Sequence, residues 1–256
     1  MLVAVADRLK LFVVPGSHAC ATVERALELK SLAYERVDLL PVVHVLHQQL
    51  RFGKRTVPGL LLEDGSKVVG SRAILRVLDG LEPEPPLLPA DPVLRAKVEA
   101  AEAWGDEVLQ PLGRRIIWAA FARDPAALPS YAAEAKLPLP LSLAARSAPV
   151  VIRLEQALNG SNDETVRADL AALPAHLDRV DGWIADGVIG GEQLNVADLQ
   201  IGAGLRLLTT IGDVAPLVDA RPAGELARRV FPRYPGSIPA GALPAEWIPG
   251  AEVGLA

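Results

Sequence analysis

Residues 56–75 form the stretch that most constrains the fold of this chain. An extended apolar run begins at Pro58 and ends at Glu-Asp-Gly (63–65), which is typical of a tight turn between two strands. A second short run (67–69) follows, and Gly70-Ser71 then opens a segment with apolar residues at helical spacing. Because proline has no N–H for a β-ladder, Pro58 predicts either a sheet edge or a cis peptide bond. The stretch therefore predicts a hairpin followed by a helix.

The start of that helix is a candidate anion site. Serine is a preferred N-cap residue, so we expect Ser71 to cap the helix. The N–H groups of a first helical turn have no partner inside the helix and can hold an anion. The stretch thus predicts a backbone edge at Pro58 beside an anion-binding helix end.

The residues before this stretch alternate between strand and helix patterns. We predict a buried strand at 11–14, a helix at about 18–29, a second strand at 34–39 and a weak helix at 42–51. Strand, helix, strand predicts a parallel pair with a right-handed crossover. With the hairpin and its helix, the order is βαβαββα, that of a thioredoxin-like α/β domain.

A proline-rich segment separates this part from the rest of the chain. Five prolines between 82 and 92 predict a stiff linker, so we divide the chain into domains at 1–82 and 92–256 with a linker at 83–91. The second domain is predicted to be all helical with an irregular tail after Phe231. Its predicted helices span about 92–123, 142–159, 165–186, 196–208 and 216–230, with a loop at 124–141.

Charge and composition exclude several classes of function. The net charge is −5 and no dense Lys/Arg tract is present, which argues against nucleic acid as a partner. No apolar run approaches the roughly 20 residues of a membrane helix, and the N-terminal apolar run is too short for a signal peptide. Cys20 is the only cysteine, and His44 and His47 have no third ligand nearby. We therefore expect a cytoplasmic protein without a metal site.

Val57-Pro58, the hairpin and Ser71-Arg72-Ala73-Ile74 together resemble the thiol-peptide site of the glutathione transferase superfamily. The resemblance implies that Pro58 is cis, that Val57 offers its backbone to the cysteinyl part of glutathione and that Ser71 takes the γ-glutamyl carboxylate. Thr56 and Arg72 belong to the same implied binding segment. One departure stands out, because Gly70 occupies a position where the family usually has Glu or Gln. The side chain that helps to hold the γ-glutamyl group is missing here.

The resemblance also draws attention to the turn at residues 15–20, Pro-Gly-Ser-His-Ala-Cys. Ser17 falls at the position of the catalytic serine of the zeta- and theta-like classes, and Cys20 falls at the second cysteine of a glutaredoxin Cys-x-x-Cys. A free thiol has a pKa near ~8.5, so a transferase site must lower it to hold a thiolate. Three interpretations remain: Ser17 activates a bound thiol, Cys20 forms a mixed disulfide, or Ser17 is only an N-cap and Cys20 a buried apolar residue.

Further residues have weaker assignments. Lys54 or Arg55 is placed to attract the glycyl carboxylate of glutathione, or else forms a solvated basic turn. An acceptor pocket is expected between the domains, facing the first long helix, which carries Trp104, Asp106, Gln110 and Trp118. Trp104 is a candidate lining residue, although a tryptophan at helical spacing is more often core. Asn195 and Asp198 form a predicted capping box, a folding feature that also resembles the superfamily.

The predicted function is therefore glutathione transferase-like, with a bound thiol attacking a small electrophile. Glutathione is the expected co-substrate, and another low-molecular-weight thiol is conceivable. The resemblance also implies a homodimer. Two alternatives remain, a non-catalytic or regulatory binding protein on the same scaffold and a glutathione-dependent thiol reductase that uses Cys20.

Overall fold

The computed structural model describes residues 9–136 and 141–250, and its first part has the predicted βαβαββα order. The strands are β1 (Leu9–Val13), β2 (Tyr34–Asp38), β3 (Gly59–Leu61) and β4 (Lys67–Val69). The helices of this part are α1 (His18–Leu29), α2 (Val43–Phe52) and α3 (Ser71–Leu81). The thioredoxin-like prediction is confirmed.

The four strands form one mixed sheet in the order β2-β1-β3-β4. β1 and β2 are parallel, as predicted, while β3 is antiparallel to both β1 and β4. β1 carries Leu11 and Val13 into the core with no exposed surface, and α1 packs Val23 and Leu27 there as well. The central position of β1 places the turn after it at one end of the sheet.

All the remaining α-helices follow the proline-rich segment. They are α4 (Pro92–Trp104), α5 (Gln110–Arg123), α6 (Leu141–Asn159), α7 (Asp163–Ala185), α8 (Val196–Leu208), α9 (Ala215–Asp219) and α10 (Pro222–Val230). The all-helical prediction for this part is confirmed, and residues 125–132 of the predicted loop form a 3₁₀ helix. None of the helices in the described residues is long and apolar enough to cross a membrane.

α8 lies at the centre of the helical part and joins it to the sheet domain. Almost every residue of α8 is buried, as expected for a helix that is apolar on all sides. It packs against α1, where the Thr22 hydroxyl donates to the carbonyl of Leu199 at 3.3 Å. The predicted linker is also tied down, because buried Lys30 binds both Asp79 (2.9 Å) and the carbonyl of Pro85 (3.0 Å).

The predicted single helix at 92–123 is interrupted by a π-helical segment at Gly105–Leu109. Gly105 lies against α8 so closely that an added Cβ would stand 3.0 Å from Ile201. The interruption therefore coincides with a close tertiary contact, which local sequence patterns do not report.

Candidate active site

A cavity of about 360 Å³ lies between the sheet domain and the helical domain. Ser17 and Val57 contribute to its sheet-domain wall, and the wall opposite comes from α5 and α6. Concave sites of this size between domains are typical places for small ligands. The structure thus brings together the two predicted site segments, the turn at 15–20 and the start of the hairpin, around one space.

Strand pairing explains why these two segments meet. Phe12 of β1 pairs with Gly59 of β3 in an antiparallel register, so continuing that register sets Val57 opposite Val14, beside the turn. The Val57–Pro58 peptide bond is cis. Within the described part of the chain, Val57 makes no backbone hydrogen bond outside the ladder. Because Val57 also lines the cavity, its backbone groups are candidates for pairing with a ligand there.

Ser17 is the N-cap of α1 and lies in a turn that packs against the side chain of Tyr131. The turn depends on Gly16, whose φ is +74° and where an added Cβ would lie 2.9 Å from Cβ of Tyr131. The Ser17 N–H donates to the carbonyl of Val14 at 3.1 Å, and its Oγ accepts from the Cys20 N–H at 3.4 Å. Because the second bond is long, the serine caps the helix only weakly.

The C-terminal tail reaches the same turn. The Tyr234 hydroxyl donates to the carbonyl of Gly16 at 2.9 Å, from 218 residues away in sequence. Tyr131 packs on the other side of the turn, and its hydroxyl lies 2.6 Å from Oγ1 of Thr210. Two tyrosines therefore hold the turn that presents Ser17, and neither was singled out from the sequence.

Ser71 lies at the start of α3, but the prediction that it is the N-cap is wrong. Gly70 is the N-cap with φ +94°, a conformation that glycine adopts without strain, and Ser71 is the first helical residue. The Gly70 N–H donates to the carbonyl of Pro58 at 3.0 Å, so the two implied glutathione-binding segments are neighbours. The Ser71 hydroxyl is buried and lies 3.5 Å from the side-chain nitrogen of Gln110.

Arg72 points toward the helical domain instead of the cavity. Its guanidinium lies 3.6 Å from the carboxylates of Glu102 and Glu107. Arg76, one turn later, pairs with the same Glu102 through two hydrogen bonds. These contacts attach α3 to α4 and give Arg72 a structural task; its assignment to glutathione binding stays a prediction.

The family "Glutathione S-transferase, N-terminal domain" matches residues 11–86. This range includes the turn with Ser17, Val57-Pro58 and the start of α3. Over this range the chain is similar to the N-terminal domain of glutathione S-transferases.

Several solved structures share the fold over most of the chain. A glutathione S-transferase from Rhodospirillum rubrum is 24% identical with a TM-score of 0.62, and 88% of each chain is covered. Maleylacetoacetate isomerase from Anaeromyxobacter dehalogenans with bound GSH is 23% identical with a TM-score of 0.56, covering 87% of this chain and 89% of that one. The β-etherase LigF from Sphingobium is 22% identical with a TM-score of 0.57, covering 88% and 98%. No curated protein sequence matches the chain.

Cys20, the glutaredoxin-like candidate, lies on the buried face of α1. Burial raises the pKa of its thiol to about 12, and a hydrogen bond with the Ser17 side chain offsets only part of that effect. A nucleophilic cysteine needs access and a lowered pKa. The environment of Cys20 is instead that of a small apolar residue.

The histidines near the cavity are uncharged at neutral pH. Burial lowers the pKa of His18 to about 3, with a further contribution from the positive charge of Arg114, and burial lowers that of His44 to about 4. The Nε2 atom of His18 has no hydrogen-bond partner among the described residues. The described residues also contain no cluster of side chains suited to a metal ion.

The remaining candidates divide between the cavity and the core. Arg55 and Thr56 line the cavity from its exposed side, as does Trp118 from α5. Trp104 lies outside the cavity lining and packs edge-on against Trp183, with ring centroids 5.2 Å apart. Trp104, the predicted lining residue, therefore packs against other aromatic residues, and Trp118 of the same predicted helix lines the cavity instead.

Sequence reasoning missed most of the helical-domain wall. Arg114, Ile117 and Phe121 share one face of α5 with Trp118, at spacings of three and four residues. This helical spacing around Trp118 is visible in the sequence. Glu155 of α6 was not visible in that way, because its side chain meets the N–H of Val42 from 113 residues away (2.9 Å).

Proposed function

We propose that this protein is a glutathione transferase-like enzyme that activates the thiol of glutathione for attack on a small electrophile. One observation carries the proposal: Ser17, at the N-terminus of α1, lines the same cavity as Val57, whose backbone edge is open. A peptide bound along Val57 by strand addition would bring its cysteinyl sulfur toward the serine turn. The similarity to glutathione transferases supports glutathione as that peptide.

The proposed step is a substitution or addition by sulfur. The bound thiol loses its proton to solvent, and the Ser17 hydroxyl donates a hydrogen bond to the resulting thiolate. The N-terminus of α1 adds positive potential, since its first turn contains no acidic residue. The sulfur then forms a bond to the electrophilic carbon, and in a substitution the leaving group departs with the electron pair of the broken bond.

Ser71 and the start of α3 are proposed to hold the γ-glutamyl end. The Gly70 cap makes no side-chain hydrogen bond, so the first-turn N–H groups of α3 are available beside Pro58. Thr56 at the cavity mouth is proposed to contact the peptide on its other side. Arg72 stays a proposed contributor of positive charge to this end of the site.

A direct test combines calorimetry with spectroscopy of the bound thiol. We expect wild type to bind glutathione and S-methylglutathione, and its bound thiol to ionise well below the free value. Ser17→Ala should retain binding but lose most of that shift and about 10²-fold in turnover, the usual cost of losing one such donor. Ser66→Ala, on the exposed hairpin, is the matched control. An unchanged thiolate fraction in Ser17→Ala removes serine from the mechanism.

Binding without catalysis is the second candidate, and the environment of Ser71 favours it. The Ser71 hydroxyl is buried against Gln110, and Gly70 offers no side chain to a γ-glutamyl group. The absence of heat with glutathione, together with heat from another thiol peptide, would favour a different co-substrate. Binding without turnover across an electrophile panel would favour a regulatory protein. Intact mass spectrometry tests the third candidate, a mixed disulfide on Cys20.

Three wider expectations belong to the same proposal. Residues 1–82 would bind the thiol and residues 92–256 the electrophile, with 83–91 as their connection. The protein would work as a homodimer in the cytoplasm. Sedimentation equilibrium of the purified chain tests the dimer.

A further inference from the structure

The helical wall of the cavity contains a cation, Arg114, that has no hydrogen-bond partner among the described residues. Arg114 lies on α5, on the same face as Ile117 and Trp118, and lines the cavity with them. Within the described residues, its guanidinium makes no hydrogen bond and has no ion-pair partner within 4 Å. Arg115, the next residue, shows the usual arrangement: it binds both oxygens of Asp169, at 2.6 and 2.7 Å.

The carboxylates nearest to Arg114 already have partners. Asp106 and Glu155 act on Arg114 electrostatically, but only from beyond ion-pair distance. The oxygens of Glu155 accept from the Val42 N–H (2.9 Å) and the Asn159 amide (3.1 Å), and Asp106 accepts from the Gln200 amide (3.3 Å). Among the described residues, neither carboxylate comes within 4 Å of the Arg114 guanidinium, so neither forms an ion pair with it.

An arginine in this environment is costly without a counter-ion. Much of the wall around it is apolar, with Ile117 and Phe121 on its own helix and Leu207 on α8. Burial lowers the pKa of Arg114, which reports the cost of removing its charge from water. Arg114 is half-buried, and a charge that is largely removed from water is stabilised by pairing and hydrogen bonds. A ligand anion would supply both.

We infer that the electrophile of this protein carries a carboxylate and that Arg114 binds it. The guanidinium presents parallel N–H donors that match the two oxygens of a carboxylate, and lysine cannot reproduce this geometry. Trp118 and Phe121 supply apolar surface for the rest of the molecule. The inference rests on the proposed function for the reaction, but the anion site itself does not depend on catalysis.

A matched pair of electrophiles tests the selection. With glutathione, 4-(chloromethyl)benzoate and 4-(chloromethyl)benzamide undergo the same step: a C–S bond forms, the C–Cl bond breaks and chloride leaves with its electron pair. We expect wild type to prefer the benzoate by at least about 10-fold in kcat/KM, since one charge-assisted bidentate pair readily supplies such a ratio. Arg114→Gln should abolish this preference, with the benzoate rate falling about 10-fold more than the benzamide rate.

Two variants keep this test decisive. Arg114→Lys retains the charge and should keep part of the preference, so it serves if Arg114→Gln is poorly folded. Arg153→Gln makes the same change in net charge on the exposed side of α6 and should leave the preference intact. Equal losses with both electrophiles in Arg114→Gln, or an upward shift of the bound thiol pKa, would assign Arg114 to thiol activation and overturn the inference.

A binding measurement separates this inference from the proposed function. Unreactive 4-methylbenzoate is titrated against the full chain without glutathione, and binding is followed by calorimetry and tryptophan fluorescence. We expect wild type to bind it at least about 10-fold more tightly than Arg114→Gln does. If this result is obtained and neither electrophile is turned over, the proposed function is contradicted while the anion site is supported. Equal binding by the two proteins, or none by wild type, overturns the anion site whatever the activity.

Discussion

The N-termini of α1 and α8 both begin at a polar capping residue, but they differ in how many of their capping hydrogen bonds are formed. At α8, Asn195 accepts from the N–H groups of Ala197 and Asp198, and Asp198 accepts from those of Asn195 and Gly190. At α1, Ser17 accepts a single bond of 3.4 Å and faces a cavity. A helix end whose groups are satisfied internally serves folding, whereas one left open is available to a ligand.

The largest effect is expected at the N-terminus of α8, where the capping groups are satisfied internally. Asp198→Ala would leave the buried N–H groups of Asn195 and Gly190 without partners, so the free energy of unfolding should fall by about 3 kcal/mol. Urea denaturation measures this change. Asp186→Ala, at an exposed helix end nearby, is the control. If the comparison of the two helix ends holds, glutathione affinity stays unchanged in both variants.

His18, in the first turn of α1, should make stability depend on pH. Its pKa is about 3 in the folded protein because burial disfavours the charged form, but about 6.5 when unfolded. Between these two pKa values the unfolded chain binds a proton at His18 and the folded chain does not. The contribution of His18 to the free energy of unfolding is therefore complete above pH 6.5 and is lost as the pH falls toward 3. Between pH 7.5 and 5 the loss should be about 2 kcal/mol.

His18→Asn isolates that contribution. The difference in unfolding free energy between wild type and variant cancels the carboxylates, which titrate in both proteins. We expect this difference to change with pH in the direction just given, measured by denaturant unfolding from pH 5 to 7.5. If the difference in unfolding free energy between wild type and His18→Asn stays constant with pH, His18 is solvated. The N-terminus of α1 would then be more accessible to water than the structure indicates.

Tyr234→Phe tests whether the C-terminal tail positions the turn at the N-terminus of α1. The variant loses only the hydroxyl that donates to the carbonyl of Gly16, so the unfolding free energy should fall by about 1 kcal/mol. If the tail positions the serine turn, the pKa of the bound thiol should also rise, an effect that general destabilisation would not produce. Spectroscopic titration of bound glutathione decides between these outcomes.

Cys20→Ala should have the smallest effect on chemistry. Because the thiol is buried and its pKa is raised to about 12, removing it should change turnover by less than about twofold, at a stability cost of about 1 kcal/mol. Wild type incubated with glutathione disulfide should gain no mixed disulfide by intact mass spectrometry. A mixed-disulfide adduct on Cys20 would show that the open end of α1 exposes two reactive positions instead of one.

Local patterns sufficed for several elements of this fold. The predicted helix at 18–29 agrees with α1, and the Asn195–Asp198 capping box forms as expected. Both depend on residues within a few positions of one another, where spacing alone specifies the contacts. The N-cap of α3 was mispredicted at Ser71 because residue type was considered without backbone conformation, and Gly70 adopts the positive φ that ends the hairpin.

The chain itself determined the order of its elements, the place of its proline-rich connection and the two segments that resemble a thiol-binding site. These depend on periodicity, turn chemistry and capping, all of which are local. Tertiary structure decided that Tyr234 reaches the serine turn and that Glu155 meets Val42. It also decided that Arg114 lines the cavity with no partner in the described part of the chain. Such contacts join residues far apart in sequence, and only the packing of α5, α6 and the tail around the sheet domain brings them together.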